Sequence, residues 1–218
     1  MKYFISDLHF GHNNILRFER TEFATIEEHD QHIIDTINKK VKMTDTLYIL
    51  GDVGNVDKVR YLNGRKILLM GNHDTQSSGV YRAFFSEVYE YPFYFNKRIL
   101  LSHYPHPVDS GILNVHGHLH GSRLDSRNHM NLSAAMLNYV PVDENMLNGV
   151  AGSLDKDNHA FLEEWYANLY VFDKAEERND VVADIRGRVL LAESRKLREK
   201  IKKDKLGFVI DIFKKDQT

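Results

Sequence analysis

"KILLMGNHD" (residues 66–74) places an apolar run directly against four polar or turn-forming residues. The run 66–70 is short and apolar on both faces, which fits a buried strand better than a helix. Gly71 and Asn72 suit a turn. His73 and Asp74 do not follow from turn chemistry, so this strand end reads as part of a site. Four more runs repeat the pattern. "KYFIS" (2–6) leads into Asp7 and His9, and "TLYIL" (46–50) into Gly51 and Asp52. "RILLS" (98–102) leads into His103, and "ILNV" (112–115) into His116, Gly117, His118 and His120. Five strands that each deliver an oxygen or imidazole group past their C-terminal ends predict a single sheet rim, where α/β folds bind ligands.

Between the strands, 26–40 reads as a helix, with Ile26, Ile33 and Ile37 on one stripe and a capping box at Thr25 and Glu28. A shorter helix is predicted over 77–86, and "YPFYFNKRILLSH" as a hairpin turning near Asn96–Lys97. Tyr91, Phe93 and Phe95 alternate at period two and are expected in the sheet core. This alternation predicts a layered α/β domain over 1–150, followed by a mostly helical C-terminal extension, 151–218, with helices at 162–172 and 181–205.

Asp7-x-His9 and His118-x-His120 are pairs two residues apart, and extended backbone puts such pairs on one side. Glycines 51, 71 and 117 are expected to let the backbone turn where these groups crowd. Asp7, His9, Asp52, Asn72, His103, His118 and His120 are the candidate metal ligands, too many for one tetrahedral ion. They suit two divalent ions sharing a carboxylate, with a net charge of about +1 once a bridging hydroxide is counted, which favours an anionic substrate. The 218-residue chain has no cysteine, so Asp, Asn and His must do any ligation. Mn2+ is the expected ion, with Fe, Ni or Zn as alternatives.

The ordered set D-x-H, G-D, G-N-H-D, H and G-H-x-H, over residues 7–120, resembles the calcineurin-like metallophosphoesterase family. The resemblance implies a two-sheet β-sandwich flanked by helices, with a dinuclear centre at the sheet edge. It implies that Asp7, His9, Asp52 and His120 hold one metal, that Asn72, His103 and His118 hold the other, and that Asp52 bridges them. It assigns His73 to the leaving oxygen as a catalytic residue and Asp74 to orienting a neighbouring imidazole. The expected activity is hydrolysis of phosphodiesters or phosphomonoesters by attack of a metal-bridging hydroxide. The protein Ser/Thr phosphatases continue their second motif as G-D-x-V-D-R-G. Here it is "GDVGNVD" (51–57), without the phosphate-clamping Arg, as in the small bacterial and phage phosphoesterases.

His12 and Arg123 are candidate substrate contacts, as are His106, His129 and Asn131 on weaker grounds. His116 is expected behind the ligands or in the core, and His29 as a half-buried packing residue of its helix.

The net charge of −2 argues against a general nucleic-acid or membrane-surface binder. Residues 186–215, however, carry eleven Lys/Arg against four Asp/Glu, a net of +7. That tail reads first as a solvated helix face, with nucleic acid as a possible partner. A rival to the enzyme is a non-catalytic metal-bearing module that recruits nucleic acid or a protein through this tail. No apolar run approaches a membrane span or a signal peptide, so a cytoplasmic protein is expected, and both monomer and homodimer fit.

Overall fold

The computed structural model describes residues 1–124 and 126–154, together with the backbone of 174–176. Each of the five apolar runs forms a strand. β1 (Lys2–Ile5), β2 (Thr46–Ile49), β3 (Arg65–Leu69) and β4 (Glu87–Tyr89) lie side by side, all parallel. β5 (Phe93–Asn96), β6 (Ile99–Leu101), β7 (Leu113–His116) and β9 (His129–Asn131) form a second sheet, antiparallel only at β5–β6. β10 (Val142–Asp143) closes the first sheet antiparallel to β1, and β8 (Ser122–Leu124) pairs with β11 (Lys174–Glu176). The ring of Phe95 on β5 meets Phe4 and Tyr48 of the first sheet edge-on, with centroids 5.2 and 5.7 Å away. Two mixed sheets thus face each other across a shared apolar layer, flanked by helices.

α1 (Ile15–Phe18) is a single turn, and α2 (Ile26–Lys40) follows the predicted span. Thr25 Oγ1 accepts the Glu28 N–H at 3.1 Å, while the Glu28 carboxylate accepts the Ala24 N–H at 3.0 Å, one residue before the expected partner. Glu27 and Glu28 in its first turn and Lys39 and Lys40 in its last complement the helix dipole. Ile26, Ile33, Ile34 and Ile37 are buried, the last three within the hydrophobic core. The helix expected over 77–86 is only α3 (Ser78–Tyr81). Gly79 at its centre weakens it, and turns over 82–84 lead the chain on toward β4.

The hairpin forms, turning at Lys97–Arg98, where Asn96 Oδ1 accepts the Arg98 N–H at 2.9 Å. Phe93 and Phe95 pack against the core, but Tyr91 precedes β5 and is 51% exposed. The domain boundary expected at residue 150 falls inside α4 (Glu144–Ser153), whose Leu147, Val150 and Ala151 are buried in the core. The chain divides instead into Met1–Arg178 and Asn179–Thr218. The helices expected at 162–172 and 181–205, and the basic tail 186–215, lie outside the described residues. Among the described residues, no helix is long and apolar enough to cross a membrane.

Candidate metal centre

The strand ends do not form one sheet rim. Three belong to the first sheet and two to the second, and the sheets are stitched together where they meet. Ser6 bridges to Ser133, its N–H donating to Leu132 O at 2.8 Å and its carbonyl accepting Ala134 N–H at 2.9 Å. The Leu132 N–H donates in turn to His116 O at 2.7 Å. This seam puts the ends of β1, β2, β3, β6 and β7 around one pocket.

The paired candidate ligands do not sit in extended backbone. Asp7, His9, Asp52, His118 and His120 all have positive φ, between 49° and 70°. Each such residue costs about 1–2 kcal/mol, so the surroundings must hold it there. They do so by hydrogen bonds: Asp7 N–H donates to Gly51 O at 3.0 Å and His9 N–H to Asp52 O at 2.9 Å. Arg20, fully buried, donates to Asp7 O and, at 2.8 Å, to Leu8 O. The left-handed turns aim side chains at a common centre that alternation along a strand would not reach. Of the three glycines, only Gly51 needs its freedom of φ, at 96°. Gly71 and Gly117 are there for space: a Cβ would strike Asp52 Oδ1 at the first, and Ser6 Oγ and Asp7 Oδ2 at the second.

Asp7, His9, Asp52 and His120 form a largely buried group whose ligand atoms all lie within 4.8 Å of one another, and it could hold a metal ion. His9 Nε2 is 3.3 Å from His120 Nε2 and 3.8 Å from Asp52 Oδ2. A second group centres on Asn72 Oδ1, 2.8 Å from His103 Nε2 and 3.1 Å from His118 Nδ1. Asp52 touches both groups, because its Oδ1 lies 3.5 Å from His103 Nε2.

The donor set suits cations. His103 Nδ1 donates to the Leu50 carbonyl at 2.8 Å, so in the neutral ring Nε2 turns a lone pair toward the Asn72 oxygen. Two lone pairs face each other there, an arrangement that a shared cation stabilises. Asp52 Oδ2 is buried with no hydrogen-bond partner among the described residues.

Burial tends to raise the Asp7 carboxyl, yet the His103, His120 and His9 imidazoles and the Ser133 hydroxyl together hold it below its ordinary value. Asp52 goes the other way, pushed up by burial and by Asp7 despite His103. Two carboxylates in one dry pocket repel, and a divalent ion removes that conflict. Burial pushes His9 down to about 2, keeping it neutral and fit to ligate. For His120, burial is outweighed by the Glu19 and Asp7 carboxylates, and its affinity for protons rises.

His73 stands at the mouth. Its side chain is 58% exposed and its Nε2 is 4.0 Å from Asp52 Oδ2, while its backbone N–H donates to Asp52 Oδ1 at 2.9 Å. His12 is exposed beside it, with ring centroids 6.3 Å apart. Among the described residues, Asp74 binds backbone rather than an imidazole. Its carboxylate accepts three backbone N–H groups, from Asp52 at 2.8 Å, Gly71 at 2.8 Å and Val53 at 3.0 Å, and so ties two ligand loops together.

Arg123 lies on β8 rather than in a loop and is only 8% exposed. His129 is buried on β9, bonded to Ser126 Oγ and His106 O, both at 2.8 Å. His106 stays in a loop, its N–H held by Asn114 Oδ1 at 2.7 Å. His116 is fully buried behind the ligands, as read. His29 is not half-buried but fully buried, bonded to Arg20 at 2.6 Å and Asp30 at 3.0 Å.

Several supporting residues carry no motif. Asn131 donates to His120 O at 3.0 Å and accepts from Ser133 Oγ at 2.8 Å. Ser133 Oγ also contacts Asp7 Oδ2 at 2.7 Å. Glu19 accepts from His120 Nδ1 across 101 residues of chain, a pairing no local spacing reveals.

No protein-family model matches the chain. It is 31% identical over 165 residues to "Uncharacterized protein MJ1445" of Methanocaldococcus jannaschii, covering 66% of this chain and 88% of that one. It is 28% identical over 166 residues to "Gene 66 protein" of Mycobacterium phage L5, covering 57% and 80%. Among solved structures, a protein of unknown function from Aquifex aeolicus, AQ665, superposes with a TM-score of 0.55 at 29% identity, covering 69% of this chain and 98% of that one.

Proposed function

This chain belongs to the family of the Methanocaldococcus jannaschii protein MJ1445, and we propose that it is a dinuclear metal-dependent phosphoesterase of calcineurin-like type. The observation that carries the reading is Asp52, whose two carboxylate oxygens face two separate ligand groups, Oδ2 at 3.8 Å from His9 and Oδ1 at 3.5 Å from His103. Asp7, His9, Asp52 and His120 hold the first ion, and Asn72, His103 and His118, with Asp52, the second. Two divalent ions, Mn2+ before Fe, Ni or Zn for this thiolate-free set, supply Lewis acidity and lower the pKa of a water nucleophile.

The chain's own residues do the rest. Asp74, Arg20 and Ser133 hold the ligands in place before substrate arrives. His73 at the exposed mouth delivers a proton to the leaving oxygen of a phosphate ester. His12 beside it contacts the phosphate. Asp7 and Asp52 are fully buried, which strengthens every charge interaction inside.

The test is turnover of an aryl phosphodiester and an aryl phosphomonoester by the full chain. EDTA is expected to abolish hydrolysis and Mn2+ to restore it. Activity indifferent to chelation overturns the mechanism. No turnover of any phosphate ester under Mn2+, Fe2+, Ni2+ or Zn2+ favours the non-catalytic module instead.

A further inference from the structure

Glu19 follows α1 as its C-cap, with its N–H donating to Ile15 O at 3.1 Å. The next residue, Arg20, is fully buried, and its guanidinium binds Asp7 O, Leu8 O and His29. This segment is therefore nailed to the loop that carries Asp7 and His9. Glu19 Oε2 accepts a hydrogen bond from His120 Nδ1. Its other oxygen, Oε1, is buried with no hydrogen-bond partner among the described residues. Only 17% of the side chain is exposed. A carboxylate so nearly desolvated needs positive charge nearby, and its hydrogen-bond partner among the described residues is the imidazole whose far nitrogen, Nε2, faces the first ligand group.

Resting on the dinuclear reading above, we propose that Glu19 is a positioning residue that locks His120 for the first metal ion and makes that position the tighter of the two. The bond to Glu19 puts the His120 proton on Nδ1, frees Nε2 to ligate and makes it more basic. His103, in the second group, leans only on the neutral Leu50 carbonyl. The first ion thus has Asp7, Asp52 and a carboxylate-backed imidazole. The second has Asn72, His118, a carbonyl-backed imidazole and a share of Asp52. The carboxylates Asp7 and Asp52 favour the first position, and the charge of Glu19 behind His120 widens the gap.

Isothermal titration of Mn2+ into the metal-free full chain tests this, with Glu19→Gln and Glu19→Ala compared to wild type. Gln keeps an oxygen that accepts from Nδ1 but lacks the charge, and it guards against an Ala variant that fails to fold. Wild type is expected to bind two ions in two steps. In Glu19→Gln the tighter step weakens about 10–100-fold while the looser step stays put. Thermal unfolding of the metal-free variant is expected to match wild type. Two steps that weaken together, or neither weakening, overturn the assignment, since a merely structural role moves both or none. Wild-type protein that binds no Mn2+ overturns the dinuclear reading itself, an outcome visible before any variant is made.

Discussion

Asp52 and His73 are neighbours in the pocket with opposite demands. Asp52 is buried beside Asp7 and pushed toward protonation by burial, so without a cation it strains the fold. Asp52→Asn is therefore expected to raise the stability of the metal-free protein by roughly 0.5–2 kcal/mol, read by urea unfolding, while abolishing binding of at least one metal ion. A metal-free variant less stable than wild type contradicts the repulsion argument. His73 is open to solvent and stands outside the group of four that could share an ion. Its replacement by Ala is expected to lower kcat by about 10²–10⁴ with metal content unchanged. Loss of metal from that variant makes His73 a ligand. The seven candidate donors could be picked out because each follows an apolar run within a few residues, and four of them, Asp7, His9, Asp52 and His120, lie within reach of one ion. The supporting roles of Glu19, Arg20, Ser133 and Asn131, the last singled out only as a substrate candidate, were not legible, because each residue reaches its partner through space, from a segment with no spacing relation to it.

At the scale of elements, α2 was readable to the residue, since a capping box and an apolar stripe mark it without tertiary help. Ile37 lies fully buried on that stripe, and Ile37→Ala is expected to cost about 2–5 kcal/mol in urea unfolding. A loss under 1 kcal/mol would mean the helix is not packed as described. α3 resisted the same reading because one turn offers no periodicity to detect. The ligand loops resisted it for another reason. Local propensity disfavours positive φ at Asp7, His9, Asp52, His118 and His120, and only contacts from other segments enforce it.

For the whole molecule, the seam between the two sheets is the decisive feature. His116 is sealed inside it, and burial pushes its imidazole down to about 3, well below the ordinary value of 6.5. The folded protein holds this ring neutral, while the unfolded chain binds a proton below about pH 6.5. The stability tied to this ring is therefore intact above 6.5 and lost as pH falls toward 3, by about 1.4 kcal/mol per pH unit. His116→Leu is expected to flatten that slope in urea unfolding between pH 6 and pH 4. An unchanged slope assigns the acid sensitivity to other groups. The α/β class, the strands, the long helix and the order of the candidate donors along the chain all belong to the sequence by itself, because hydrophobic period and motif order are local properties. The division of five strands between two sheets, the left-handed ligand loops and the Glu19–His120 contact were decided only by the tertiary structure. Each depends on which distant segments are brought together, and the energy that selects them lies in packing and hydrogen bonds across the seam.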